Sequence, residues 1–561
     1  MQLGTLDIIC LVGYMAGIGL MGISFAKRNV TTEDYFVGGR SHKGWVIGLS
    51  LVGTSISSIS FLAFPGDAFK TAYLRMVPNF MLPVALVIAA YVFLPFFRKN
   101  YISSAYEYLE MRFGPGVRVY GALAFVAAQL VRISTILFLV SIMLHTLTDL
   151  GTVPCIVISG MLVGFYTIVG GIHAVIWTDV VQTVVLAVGG AVCLLVVVSE
   201  LPGGFREIID VANGANKFSF AEYDADAGAL KPVSWDLTLQ RKTATMMLLI
   251  GLTIWLTEYS CVQHTIQRYA AARTDKDARQ AMAVAGLTSL PIWLFFMFIG
   301  TSFYAFYQAF PTQETADMLS GARPAEDVMP YFILHQLPSG LKGIVIAAAL
   351  AAAMSSIDSS INAISAVSIL DVYQRHLVKG RNDRHYLVAA HLISVVVSVL
   401  MILGAIWFTT INIKTLQDTS TVLTAVLGGG LFGLFMLGML TTRGNGFAAM
   451  CGIACTLLFI SWTLAAHNGI APEIPALRQS PDSSAIAQHA TAAVNHVLDF
   501  LRYIVGADLY YTSIVGNLVM FSVGYVAGLL ILHNKKKLPN LTIWTHENES
   551  HDETIPATVD G

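Results

Sequence analysis

Apolar stretches of about 20 residues, each long enough to cross about 30 Å of hydrocarbon, recur along the chain between short polar segments. The pattern predicts membrane helices near 5–25, 45–64, 77–97, 119–147, 152–170, 173–200, 243–263, 281–308, 341–372, 386–408, 419–440, 446–466 and 508–533, 13 in all. An odd number puts the two termini on opposite sides, and the basic residues then decide which end is inside. With the N-terminus outside, 20 of the 33 Lys and Arg residues face the cytoplasm, Arg268 among them, 12 lie outside and Arg132 sits within the membrane. Most of the outside ones fall in two long loops, 201–242 and 467–507, where the charge rule is weak. The expected orientation is therefore N-terminus outside and C-terminus cytoplasmic. The polar tail 534–561 is too short to form a domain, and the two long loops are expected to be external, lid-like or peripheral.

Composition supports this reading. The chain of 561 residues is 55% hydrophobic and 12% charged, against about 25% charged in soluble domains, and its mean hydropathy is +0.67. A formal net charge of −2 offers nothing to a nucleic acid. All six cysteines lie in apolar segments without disulfide or metal spacing and read as small core residues. The first apolar stretch has no basic flank or small-residue cleavage site, so it is expected to be a retained helix. His145, His264 and His391 are scattered over separate segments without a nucleophile or ligand spacing, and no Gly-rich phosphate loop appears. Enzymatic and ATP-driven functions are thereby disfavoured.

The candidate chemistry is polarity placed where lipid should be. A charge at mid-membrane costs roughly 2.5–3.5 kcal/mol on insertion scales, and Arg132, Asp179 and Asp358 stand out. The structural alternatives are an ion pair for Arg132 and an interfacial position for Asp179. In AAAMSSIDSSINAIS, helical spacing puts Ser355, Asp358 and Ser359 on one face with Ser356 beside it. Oxygen groups with few formal charges suit a hard cation, and sodium more than calcium or magnesium, which ask for several carboxylates. The stretch GTSISSISFLAFPG places Thr54, Ser55, Ser57, Ser58 and Ser60 in an apolar run that meets Pro65 and Gly66. Hydroxyls compete with the helix backbone, and Pro and Gly disfavour its continuation. A helix broken at membrane depth must turn its freed backbone groups toward protein or a cavity. A second interruption, Thr257, Glu258, Tyr259 and Ser260, comes five helices later, as an inverted repeat of two five-helix halves predicts.

Six segments carry a family resemblance: DYFVGGRSHKGW, GLSLVGTSISSISFLAFPGDAF, SAYEYLEMRFG, GGIHAVIWTDVVQ, IQRYAAA and LAAAMSSIDSSINAIS, spread from about residue 34 to 372. In these the chain resembles the sodium:solute symporter family. The resemblance implies an all-α membrane fold of the leucine-transporter type, with five plus five inverted helices and peripheral helices. Its layout would be an N-terminal peripheral helix and loop (1–44), first repeat (45–200), external loop (201–242), second repeat (243–440), two peripheral helices with an external loop (441–533) and a tail (534–561). The family's general sodium site, carried over, implies carbonyls of Gly53, Ile56 and Ala352 with hydroxyls of Ser355 and Ser356. A second sodium site found in some members would draw on Asp179, Ser355 and Ser359, with Asp358 beside them where relatives often have a hydroxyl. A protonatable carboxylate there could replace the second ion.

Sugar-carrying members place acid and amide groups just past the first break, where this chain has Ile59 and Ser60. The serine-rich run is more similar to the iodide, monocarboxylate and sialic acid branches. Arg132 matches the sialic acid branch's carboxylate-binding arginine, and Ser55, Ser57, Ser60 and Asn79 match its hydroxyl and amide positions. An arginine fork pairs bidentately with a carboxylate. The resemblance thus implies sodium-coupled import of a small organic acid, foremost an acidic sugar, by alternating access. A neutral hexose or proline and a monocarboxylate are the other substrate readings. The partners implied are sodium, the solute and the lipid bilayer, with no nucleic acid, and a functional monomer in a bacterial inner membrane. Two sodium ions with one monoanion would make uptake electrogenic.

Overall fold

The computed structural model describes residues 3–99, 102–148, 150–224, 229–238, 243–410, 428, 430–467, 511–530, 538 and 540–545. Among the described residues, nine helices are long and apolar enough to span a membrane, or eleven when each of two bent pairs counts as one span. In chain order the helices are α1 (Thr5–Ala26), α2 (Thr32–Val37), α3 (Gly44–Ser55), α4 (Ser58–Lys70), α5 (Tyr73–Lys99), α6 (Ala105–Phe113), α7 (Pro115–Thr148), α8 (Thr152–Glu200), α9 (Gly204–Gly214), α10 (Ala244–Ser260), α11 (Gln263–Ala271), α12 (Asp275–Ala309), α13 (Gln313–Ser320), α14 (Val328–Gln336), α15 (Leu341–Leu377), α16 (Asp383–Phe408), α17 (Leu431–Leu440), α18 (Gly446–His467) and α19 (Thr512–Leu530). α5 and α15 are composites that include π-helical turns at Ala89–Phe93 and Ser368–Leu377.

The 49 residues of α8 would reach about 73 Å at 1.5 Å per residue, over twice the hydrocarbon thickness, so this element holds the two spans expected at 152–170 and 173–200. They meet at Gly171, whose φ of 58° and ψ of −162° lie in a region open essentially to glycine alone. The expected span 419–440 is represented by α17, its earlier part lying outside the described residues. So do nearly all of the loop 467–507 and most of the tail, of which Leu541 and Trp544 bond Tyr108 Oη and the Leu440 carbonyl.

Both expected interruptions are present. α3 and α4 meet at a bend of 57°, and α10 and α11 at 48°. The first break is at Ile56, whose φ of −101° and ψ of 104° are extended. Pro65 lies within α4 instead of ending it, a correction to the sequence reading. The missing Pro65 N–H is tolerated in a membrane helix because neighbours satisfy the backbone, and α12 closes on this point. A Cβ on Gly300 would lie 2.1 Å from the Pro65 carbonyl oxygen, so only glycine allows that approach.

α15 is at the centre, with 94% of its apolar window buried. Its run of alanines lets α8 come close: a Cβ on Gly189 would meet that of Ala348 at 2.3 Å. At one end of α15, Asp371 takes hydrogen bonds from Arg118 Nε at 2.6 Å and Ser104 Oγ at 2.5 Å, tying α15 to α7 and to the start of α6. In the loop 201–242, a short hairpin pairs β1 (Ala221–Asp224) with β2 (Ala229–Pro232). Lys217 from the same loop is 3% exposed. It donates to the carbonyls of Phe69 at 2.7 Å and Thr71 at 2.9 Å, at the C-terminal end of α4, where helix carbonyls lack intrahelical donors.

Candidate functional site

The end of α3 leaves carbonyls without the amide donors that a continuing helix would supply. The middle of α15 meets them with hydroxyls. Ser356 Oγ donates to the Thr54 carbonyl at 3.1 Å, and a Cβ on Gly53 would lie 2.8 Å from Ser355 Oγ. Ser355 and Ser356 are thus brought against Gly53 and Thr54, while Ile56 lies at the break and Ala352 about one turn earlier on α15; Ile56, Ala352, Ser355 and Ser356 are all buried at 2% exposure or less. Hydroxyls of α15 thus meet the carbonyl end of α3, and oxygen groups of this kind suit a hard cation.

Asp179 is enclosed by protein. It is fully buried and accepts from Ser355 Oγ at 2.5 Å, Ser50 Oγ at 2.5 Å and Arg268 Nη2 at 2.7 Å. Arg268 is the residue that sequence reasoning misplaced, because it counted there as a cytoplasmic loop cation. It is fully buried on α11 and also donates to Thr54 Oγ1 at 2.7 Å, Ser359 Oγ at 2.6 Å, Ser50 Oγ at 2.8 Å and the His264 carbonyl at 2.8 Å. The physical reason is the second broken helix: every residue of α11 is buried, so the polar run after the break turns inward. Asp358, also buried, is held separately. Tyr166 Oη donates to it at 2.7 Å, and the Ser359 amide at 2.5 Å. The guanidinium therefore sits between Asp179 and Ser359, two of the four groups of the expected second sodium site.

The expected substrate residues divide. Arg132 on α7 reaches the break, with Nη2 3.5 Å from the Thr54 carbonyl oxygen and Nη1 4.0 Å from Glu258 Oε2. Ser57 and Ser60 are buried at and just after the break, while Ser55 Oγ bonds back to the Leu51 carbonyl at 2.9 Å. Asn79 spends its amide locally on the Arg75 carbonyl at 3.1 Å, and no described contact joins it to the cluster. Glu258 is the residue that the sequence flagged as an interruption without giving it a role. It accepts from His264 Nε2 at 2.5 Å and Thr265 Oγ1 at 3.2 Å.

A helical membrane bundle in which two broken helices converge on a buried cluster of carbonyls and hydroxyls is the architecture of an ion-coupled secondary transporter. The model of the sodium:solute symporter family matches residues 35–455. The chain belongs to that family, and it is a sodium-coupled solute symporter with the leucine-transporter-type fold. It is 31% identical over 466 residues to the sodium/sialic acid symporter SiaT of Proteus mirabilis, covering 83% of this chain and 90% of that protein. To the human sodium/iodide cotransporter it is 28% identical over 490 residues, covering 86% and 73% respectively. A solved structure of a Na+-coupled sialic acid symporter, substrate-bound and outward-open, superposes with a TM-score of 0.79 at 27% identity, covering 94% of this chain and 98% of that one.

Proposed function

We propose that this chain imports a carboxylate-bearing solute, foremost an acidic sugar of the sialic acid type, together with sodium. Sodium would be held by the carbonyls of Gly53, Ile56 and Ala352 and the hydroxyls of Ser355 and Ser356, joining the broken first helix to α15. The solute would lie beside Ser55, Ser57 and Ser60 with its carboxylate on Arg132. The observation that carries this reading is the Arg132 guanidinium: it is 23% exposed, reaches the break, and has no hydrogen-bonded carboxylate partner among the described residues. The names of the relatives support the choice of acid. A single chain supplies every one of these groups, which supports a monomer as the working unit in the lipid bilayer, a bacterial inner membrane by analogy with the bacterial relatives. Residues 45–200 and 243–440 are the two proposed inverted repeats. Asp179, Ser355, Asp358 and Ser359 would take a second sodium only if Arg268 withdraws, since its guanidinium already bonds two of them.

The test is sodium-gradient uptake in proteoliposomes with sialic acid, lactate, glucose and proline in parallel. Uptake of an acid that Arg132→Ala reduces by roughly tenfold or more, the loss of one buried charge-assisted interaction, supports the proposal. Uptake of a neutral solute alone, undiminished by that substitution, moves the assignment to the hexose or proline reading, and sodium-independent uptake removes the sodium assignment altogether.

A further inference from the structure

The second broken helix presents an acid where the first presents its freed carbonyls. Glu258 stands three residues before Cys261, at which α10 ends. One carboxylate oxygen, Oε1, is held by His264 and Thr265 from the opening turn of α11. The other, Oε2, makes no described hydrogen bond and faces Arg132 Nη1 at 4.0 Å, beyond hydrogen-bond reach. The two side chains keep 23% and 19% exposure, whereas Arg268 and Asp179 keep none. The inner pair is closed on itself. The Arg132–Glu258 pair is open, with donor and acceptor capacity unused on its facing sides.

A carboxylate that docks on Arg132 necessarily brings negative charge close to Glu258 Oε2. For an anion without donors, that proximity is repulsive in a site of low dielectric. For an acid with a hydroxyl or N–H next to its carboxylate, the same oxygen becomes a partner, because an ionised carboxylate only accepts. His264 and Thr265 hold Glu258 in place through its other oxygen, so turning away forfeits two bonds.

We propose that Glu258 is the second recognition point of the solute site, taking a hydrogen-bond donor that flanks the carboxylate held by Arg132, so that the carrier selects hydroxylated or N–H-bearing acids over donor-free anions. This rests on the carboxylate reading given above and narrows it to a class. A buried group built to receive a donor rejects analogues that lack one far more strongly than an apolar pocket does.

The experiment compares matched pairs that differ by that donor: sialic acid with its 2-deoxy analogue, and lactate with propionate, each as competitor for sodium-driven uptake of whichever labelled acid is carried. In the unaltered protein the donor-free member of the pair competes roughly tenfold or more weakly. In Glu258→Gln, whose amide can offer a donor of its own, the ratio collapses to within about twofold to threefold. Thr265→Val, which loosens Glu258 from behind, lowers the ratio in the same direction and guards against a folding defect in the Gln variant. Equal competition within each pair by the unaltered protein, or an unchanged ratio in folded Glu258→Gln, overturns the proposal. Full acid uptake by Arg132→Ala would instead sink the carboxylate reading, whatever the Glu258 variants do.

Discussion

Asp179 and Arg268 face each other with no exposed surface on either side chain, and one of the pair alone is worse than neither. A buried charge stripped of its partner costs about 3–5 kcal/mol, whereas removing both is often close to neutral. Arg268→Ala should therefore lower thermal stability in detergent by about that amount, and adding Asp179→Asn should restore much of it. Independent losses in the double variant would mean that the two do not act as a pair. The pairing also marks the limit of sequence reading at this scale. Arg132, Asp179 and the serines of α15 are legible because each interrupts an apolar run. Arg268 follows a polar stretch and looks like a loop residue, and its partner is 89 positions away. Glu258 was visible as an interruption, but its proposed role depends on Arg132, which arrives from a different helix.

At the scale of elements, the two broken helices were legible because hydroxyls and charges cluster within otherwise apolar spans. The location of the first break was less so. Pro65 and Gly66 look like terminators, but the chain breaks at Ile56, where the α15 hydroxyls compete for the α3 carbonyls, and α4 runs through Pro65 under the cover of Gly300. The contact of the loop 201–242 with the end of α4 was not legible at all, since nothing near Lys217 in sequence announces a helix end. Burial pushes the Lys217 amine down to about 7 from 10.5. Between those values the docked loop binds fewer protons than a released one, so docking strengthens as pH rises through this window and weakens as pH falls toward 7. Limited proteolysis within 201–224 should accordingly be slower at pH 9 than at pH 7. In Lys217→Met the pH dependence should disappear, and a persistent difference would assign it to another group.

For the whole molecule, hydropathy predicted 13 spans, and nine to eleven are found among the described residues with α8 holding two. The family fold was legible from six short segments, because in a membrane only the ion and solute sites force polar residues into fixed places. The ion count belongs to this scale as well. With the guanidinium of Arg268 bonded to Asp179 and Ser359, the proposed second sodium position is taken and the proposed first one is left, so uptake should rise hyperbolically with sodium. For a monoanionic solute it should also be insensitive to a valinomycin-imposed potential, in contrast to the electrogenic cycle that two ions would give. Sigmoidal dependence with potential-driven uptake would mean that Arg268 withdraws and two sodium ions enter. A tethered counter-charge also bears on the half of the cycle that carries no cargo. A transporter whose buried aspartate relied on sodium for neutrality would stall after unloading, with a bare charge to drag back across the bilayer. With Arg268 as its partner, Asp179 needs no sodium for neutrality, so the unloaded protein should return on its own, and net accumulation, in place of mere exchange of one solute molecule for another, is the expected output.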